Sequence, residues 1–197
     1  IEAAMRYTPQ PRPAYTHYSH FPEIEEIQTF KTQFEALAGN KMEVSPSELM
    51  EILNRALSPY SDHRTGRLGI YTCQSALAVM DSETNGKLGF EEFKHLWNNI
   101  KKWQVIYKAY ASARTGTLGS PQLQRAFVAA GFHLSEGLYR LMVRRYSDHD
   151  GTFDFENFIS CLVRLDAMFR AFKSLEKEDS GQLSLNLEEW LQLTMYS

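Results

Sequence analysis

DSETNGKLGFEE, residues 81–92, decides how this chain is read. Oxygen-bearing side chains stand at its first, third and fifth positions, Asp81, Glu83 and Asn85. Gly86 is sixth, Leu88 eighth and Glu92 twelfth. A loop this short wraps a hard cation by turning alternate side chains inward and offering the backbone carbonyl of its seventh residue, Lys87. It takes two further oxygens from a carboxylate on the helix that follows. Glycine permits the sharp turn in the middle because it reaches the left-handed region without steric cost. Glu83 is the one departure, since a shorter acid or amide is usual at the third position. Six constraints met within twelve residues argue for a calcium-binding loop rather than a merely acidic one.

The flanks agree. YTCQSALAVM ends just before Asp81 and FEEFKHLWNNIKKWQVIYKAY starts at Phe90, so the loop joins two helices in an EF-hand. The glycine recurs: Gly86, Gly116, Gly151 and Gly181 are spaced by 30, 35 and 30 residues. Just beyond each lies a short apolar scrap, LGF at 88–90, TLG at 117–119, FDF at 153–155 and LSL at 183–185. A spacing of 30 leaves room for one helix between loops, whereas 35 needs two shorter helices and a turn, which Gly131 and Ser135 supply. From Glu23, Ile24, Ile27, Phe30, Phe34 and Leu37 recur at three- and four-residue steps. SPSELMEILNRAL begins with a capping box, Ser45 with Glu48, and has Pro46 at its first helical position. Ser120 opens SPQLQRAFVAAG, Ser135 opens SEGLYRLMVRRY, and FENFISCLVRLDAMFRAFKSL and LEEWLQLTMY complete the pattern. About eight helices with only two- or three-residue strands predict an all-α fold.

The remaining loops depart from the calcium pattern. ASARTGTLGSPQ, 111–122, keeps Gly116 and Leu118, but Ala111, Ala113 and Gln122 stand at positions 1, 3 and 12, and Arg114 adds positive charge. With no carboxylate it has nothing to offset the desolvation of a divalent ion. YSDHDGTFDFEN, 146–157, has Asp148, Asp150 and Asp154 but Tyr146 first and Asn157 last. EKEDSGQLSLNLEE, 176–189, carries two extra residues before Glu188 and Glu189, so its carboxylates fall out of register. AGNKMEVSPSE, 38–48, is one residue short and ends at Glu48, with Val44 as its strand residue. Val44 and Leu88 are expected to pair, as are Leu118 and Phe153, which leaves Leu183 without a mate in the chain. An apolar strand edge on an odd hand is a dimerisation surface.

Composition bounds the function. The chain of 197 residues carries 24 acidic and 21 basic side chains for a net charge of −3, with 43% apolar residues. That is the mix of a globular protein with a core, and it lacks the basic excess of a nucleic-acid binder. No apolar run approaches the length of a membrane span, and IEAAMRYTPQ lacks the pattern of a secretory signal. Residues 1–22 hold four prolines (Pro9, Pro11, Pro13, Pro22) and three tyrosines, and are read as an extended linker before a domain over 23–197. Cys73 and Cys161, the two cysteines, sit in apolar helical patterns and are expected to be buried thiols of a reducing compartment. Neither has the surround of a cysteine-protease nucleophile, and no histidine stands in a partner context.

AGNKMEVSPSELMEILN, LAVMDSETNGKLGFEEFKHLWNNIKKWQ, GFHLSEGLYRLMVRRYSD, FDFENFISCLVRLDAMFRAFKSL and EEWLQLTMYS resemble the penta-EF-hand domain of the calpain small (regulatory) subunit family over about residues 16–197. The degenerate third loop suggests a divergent second paralogue. The resemblance implies five hands, with the fifth pairing with the fifth hand of a large catalytic calpain subunit. It implies a calcium-binding, non-catalytic partner of a calcium-dependent cysteine protease. It also implies a cytoplasmic location with calcium-dependent association with the plasma membrane. Asp81, Glu83, Asn85, Lys87 and Glu92 match the family's second loop. In the first loop Ala38, Glu43 and Glu48 carry over, but Lys41 stands where an acid should be. Asp154 matches a further family calcium site, whose second acid is replaced here by Gly66. The family also receives an amphipathic helix of the inhibitor calpastatin in a cleft. Phe30, Ile52, Ala56, Trp97 and Gln104 match it, and Trp97 falls on a face otherwise rich in Asn and Lys. The rival reading is a free-standing homodimeric penta-EF-hand adaptor that recruits partners on calcium.

Overall fold

The structure is a computed structural model that describes residues 28, 31–32, 34–36, 43–81, 86–176 and 181–195. The linker 1–22 and the start of the first predicted helix at Glu23 lie outside the described residues. Those described from 28 to 36 are helical, and Phe34 among them is fully buried. There follow strand β1 (Glu43–Val44), α1 (Pro46–Leu57), a 3-10 turn (Ser58–Tyr60) and α2 (Ile70–Met80). Then come β2 (Leu88–Gly89), α3 (Phe90–Tyr110), α4 (Ser120–Ala130), α5 (Glu136–Tyr146), α6 (Phe155–Leu175) and α7 (Leu187–Met195).

Local chemistry explains most boundaries. Ser45 caps α1 in a complete capping box, its backbone N–H donating to Glu48 Oε2 at 2.7 Å. Ser135 caps α5 by accepting from the Leu138 N–H, and Gly131 ends α4 in the left-handed region at φ +99°. At α4 the cap is one residue earlier than expected. Gly119 is the extended N-cap and Ser120 is already helical, with its hydroxyl turned to the Tyr139 hydroxyl at 3.1 Å. Each of the 21-residue helices α3 and α6 is about 31 Å long. Each therefore leaves one hand and begins the next.

The short strands pair as the spacing implied. Val44 stands opposite Leu88 and Glu43 opposite Gly89 in an antiparallel ladder. Leu118 bridges Phe153, each amide donating to the other's carbonyl at 2.9 Å. The core runs continuously beneath both pairs. Phe34 meets Phe90 and Phe93 with ring centres 5.4 and 5.3 Å apart under the first pair. Tyr107, Phe127, Phe153, Phe155 and Phe158 form the aromatic cluster under the second. Trp97 departs from its expected place: it is 3% exposed, and its ring is covered by the Lys101 ammonium 5.6 Å from the ring centre. The lysine stem and charge thus screen an aromatic that its neighbours made look solvent-facing.

One tie between the halves has no local signal. α2 packs on α6, and its N-cap, Gly69, has no side chain to offer. Glu156, in the first turn of α6, supplies the cap from across the sequence, accepting from the Gly69 N–H at 2.7 Å and the Thr72 hydroxyl at 2.8 Å. A Cβ on Gly69 would lie 2.6 Å from Glu156 Oε1, so any larger residue there would push the Glu156 carboxylate off its cap.

Candidate calcium loops and the fifth hand

Loop 81–92 is built between α2 and α3. Asp81 follows the last turn of α2, its N–H donating to the Leu77 carbonyl at 2.8 Å, and it is 6% exposed. Its carboxylate turns back over the loop and accepts from the Gly86 N–H at 2.6 Å, and Gly86 takes φ +74°. Glu92, in the first turn of α3, accepts from the Gly89 N–H at 3.0 Å. The first and twelfth positions therefore stand on the two helix ends, as an encircling oxygen cage requires. Residues 82–85, with Glu83 and Asn85, lie outside the described residues. Lys87 stands at the seventh position, and its ammonium pairs with Glu43 at 3.5 Å across the β1–β2 ladder. The donors are all hard oxygens, which suits calcium and not a soft metal.

The first loop is described only at its end. Ala38 and Lys41 lie outside the described residues. Glu43 is held in the strand ladder. Glu48 accepts from both the N–H and the hydroxyl of Ser45 at 2.7 Å, bonds that hold its carboxyl below its ordinary value.

In the fourth loop Asp148, Asp154 and Glu156 serve the fold, while the exposed Asp150 faces His149. Asp148 accepts from the N–H groups of Asp150 and Thr152 and from the Thr152 hydroxyl, bonds that lower its pKa. Asp154 is the N-cap of α6, accepting from the Asn157 N–H at 2.7 Å. Glu156 is committed to α2, and Gly66 would place a Cβ in open space. The fifth loop keeps the hydrogen bond that opens such loops, from the Gly181 N–H to Glu176, but Glu176 is also paired with the Lys173 ammonium at 2.8 Å. Glu189 is spent on a reciprocal cap with Asn186, bonds of 2.8 and 2.9 Å.

The third loop keeps its fold without any carboxylate of its own. Gly116 takes φ +72°, its N–H donates to Ser112 O, and Ser112 N donates to Thr117 O. Sequence reading missed Tyr107, which is fully buried with its hydroxyl 2.6 Å from Gly116 O and 3.1 Å from Phe153 O. It ties the third and fourth loops from beneath, and only its place on the apolar stripe of α3 hinted that it was inward.

The fifth hand ends in an apolar groove of about 570 Å³, whose walls include Met142, Leu165, Phe172, Leu183, Leu185 and Trp190. Trp190, on its wall, is 54% exposed, and Leu187 at the start of α7 is 73% exposed. Among the described residues Leu183 and Leu185 pair with no other strand. Of the proposed inhibitor-cleft positions, Ile52, Trp97 and Gln104 are buried, Ala56 is partly buried and Phe30 lies outside the described residues. Burial pushes both cysteine thiols up to about 12, so neither is a thiolate at neutral pH.

No family model matches the chain. It is 61% identical over 198 residues to calpain small subunit 1 of Sus scrofa, covering 100% of this chain and 74% of that protein. Against calpain small subunit 1 of Homo sapiens the identity is 60% with the same coverage. Against calpain small subunit 2 of Homo sapiens it is 56% over 197 residues, covering 99% of this chain and 79% of that protein. Among solved structures, a homolog of programmed cell death 6 protein from Leishmania major Friedlin shares the fold. It matches with a TM-score of 0.54 at 19% identity, covering 87% of this chain and 95% of its own.

Proposed function

The chain belongs to the calpain small subunit family, and from that premise we propose that it regulates a calpain by binding calcium at residues 81–92 and holding the large catalytic subunit through its fifth hand. The single observation that carries this reading is the 61% identity over the whole chain. It is a non-catalytic subunit, as its membership of the calpain small subunit family implies.

The fifth hand supports the partner assignment physically. Its strand residues Leu183 and Leu185, with Phe172 and Trp190, line an apolar groove, and a lasting interface needs a large apolar core of this kind. The proposed occupant is the corresponding hand of the large subunit, with a second copy of this chain taking its place when that subunit is absent. Loop five carries two extra residues before Glu188 and Glu189, out of register for calcium, so the proposed pairing requires none. An inhibitor helix of the calpastatin kind is a further proposed partner. Its docking requires the first hand pair to open, since Ile52 and Trp97 are 1% and 3% exposed. The proposed location is the cytoplasm, with recruitment to the plasma membrane when calcium rises.

Co-expression with a large calpain subunit tests the assignment. The pair should co-purify in chelator as well as in calcium. A chain that stays homodimeric beside the large subunit, or that joins it only when calcium is added, supports the adaptor reading instead.

A further inference from the structure

We propose that the arm Asp62–Arg64 does for the third loop what a calcium ion does for an intact one. An ion bridges the entering helix, the loop and its turn; here the arm makes those same links. The Arg64 guanidinium donates to Asp62 Oδ2 at 2.7 and 3.1 Å and to the Lys108 carbonyl, in the last turn of α3, at 2.9 Å. The Lys108 ammonium returns the contact, donating to the Tyr60 carbonyl and standing 3.8 Å from Asp62. His63 Nε2 lies 3.3 Å from the carbonyl of Ala113, at the loop's third position. At the turn itself, a Cβ on Gly116 would come within 3.3 Å of Arg64 Cα and 3.4 Å of the His63 carbonyl, so the arm's backbone lies directly on the glycine.

The arm is itself pre-shaped. Asp62 N donates to the Thr65 hydroxyl at 3.0 Å, Arg64 N donates to Asp62 Oδ1 at 2.9 Å, and Thr65 is 7% exposed. Asp62 is thus a carboxylate beside the third loop that is supplied from outside it, and its charge is met by Arg64 and Lys108 rather than by an ion. The consequence is mechanical. α3 leaves the competent loop at Glu92 and ends at Tyr110 against the arm, so one end of this helix answers calcium while the other is fixed. This inference does not depend on which partner occupies the fifth hand.

Amide hydrogen exchange on the full chain tests it, read at the N–H groups of Ser112, Gly116 and Leu118. Arg64→Ala should lower their protection roughly tenfold, the scale of a lost charged hydrogen bond, while amides of α6 keep theirs. Asp62→Asn, which keeps the shape and removes the charge that holds the guanidinium, should loosen the same amides if the alanine variant does not fold. Arg67→Ala, an exposed arginine a few residues along, should leave them unchanged. In a Glu92→Gln background, added calcium should not alter protection in the third loop. Protection retained in both arm variants, loosening no greater than in Arg67→Ala, or a calcium-dependent rise in that background would overturn the proposal.

Discussion

Single side chains hold the paired loops together. Tyr107 is buried beneath loops three and four with its hydroxyl beside two carbonyls, and burial pushes its pKa up, so it stays protonated and able to donate. Tyr107→Phe takes the hydroxyl donor from the Gly116 carbonyl in the interior, while the Phe153 carbonyl keeps the Leu118 N–H. We expect a loss of about 1–3 kcal/mol in urea unfolding; an unchanged midpoint would show that water had replaced the hydroxyl. Asp62 carries a pH dependence. Its hydrogen bond to Arg64 lowers its pKa from 3.8 to about 2. A depressed carboxylate stabilises the fold above its unfolded pKa and loses that contribution as pH falls through the folded one. The stability gap between the wild type and Asp62→Asn should therefore be full near pH 5 and close between about pH 4 and pH 2. A gap of constant size across that window would mean that the charge on Asp62 is immaterial.

At the scale of the loop, calcium competence follows from where the carboxylates go. Asp81 and Glu92 stand at the helix ends that flank one loop. In the fourth and fifth loops Asp148, Asp154, Glu176 and Glu189 are turned to backbone amides, caps or a lysine. Calorimetric titration should thus show about one tight site, and Glu92→Gln should remove it by deleting the bidentate oxygen pair. Three tight sites surviving that change would be incompatible with this assignment. The third loop offers the converse experiment. Its turn, its Ser112–Thr117 bond and its bridge to Phe153 are already in place, so Ala111→Asp, Ala113→Asp and Gln122→Glu together should add one calcium site. No gain in bound calcium would mean that the arm over Gly116 holds the loop too tightly to receive an ion.

Taken whole, the molecule has two hand pairs fused over one core and a fifth hand whose apolar groove opens outward. Leu183→Asp and Leu185→Asp place charge where a partner must bury hydrocarbon. Together they should abolish co-purification with a large calpain subunit while leaving the affinity of loop 81–92 nearly intact. Retained pairing would move the interface elsewhere on the surface.

The helices, the hand count and the strand pairing were legible in the sequence because each rests on local rules. A glycine must stand at the turn, an apolar residue two positions on, and apolar residues at helical spacing. Ser45, Glu48, Gly131 and Ser135 acted as read, because caps and turns draw on neighbours a few residues away. The calcium reading of loop 81–92 rests on the same kind of local pattern, in its composition and spacing. The fate of the other acids needed the fold: Glu156 caps a helix 87 residues upstream, at Gly69. Tyr107 meets the carbonyl of Phe153, 46 residues on, and Arg64 reaches Lys108 across 44. Trp97 was misplaced because only packing shows that Lys101 covers it. Local sequence specifies which backbone shapes are cheap, whereas a buried donor takes whichever acceptor the packed chain brings within 3 Å, and that neighbour is chosen by tertiary structure alone.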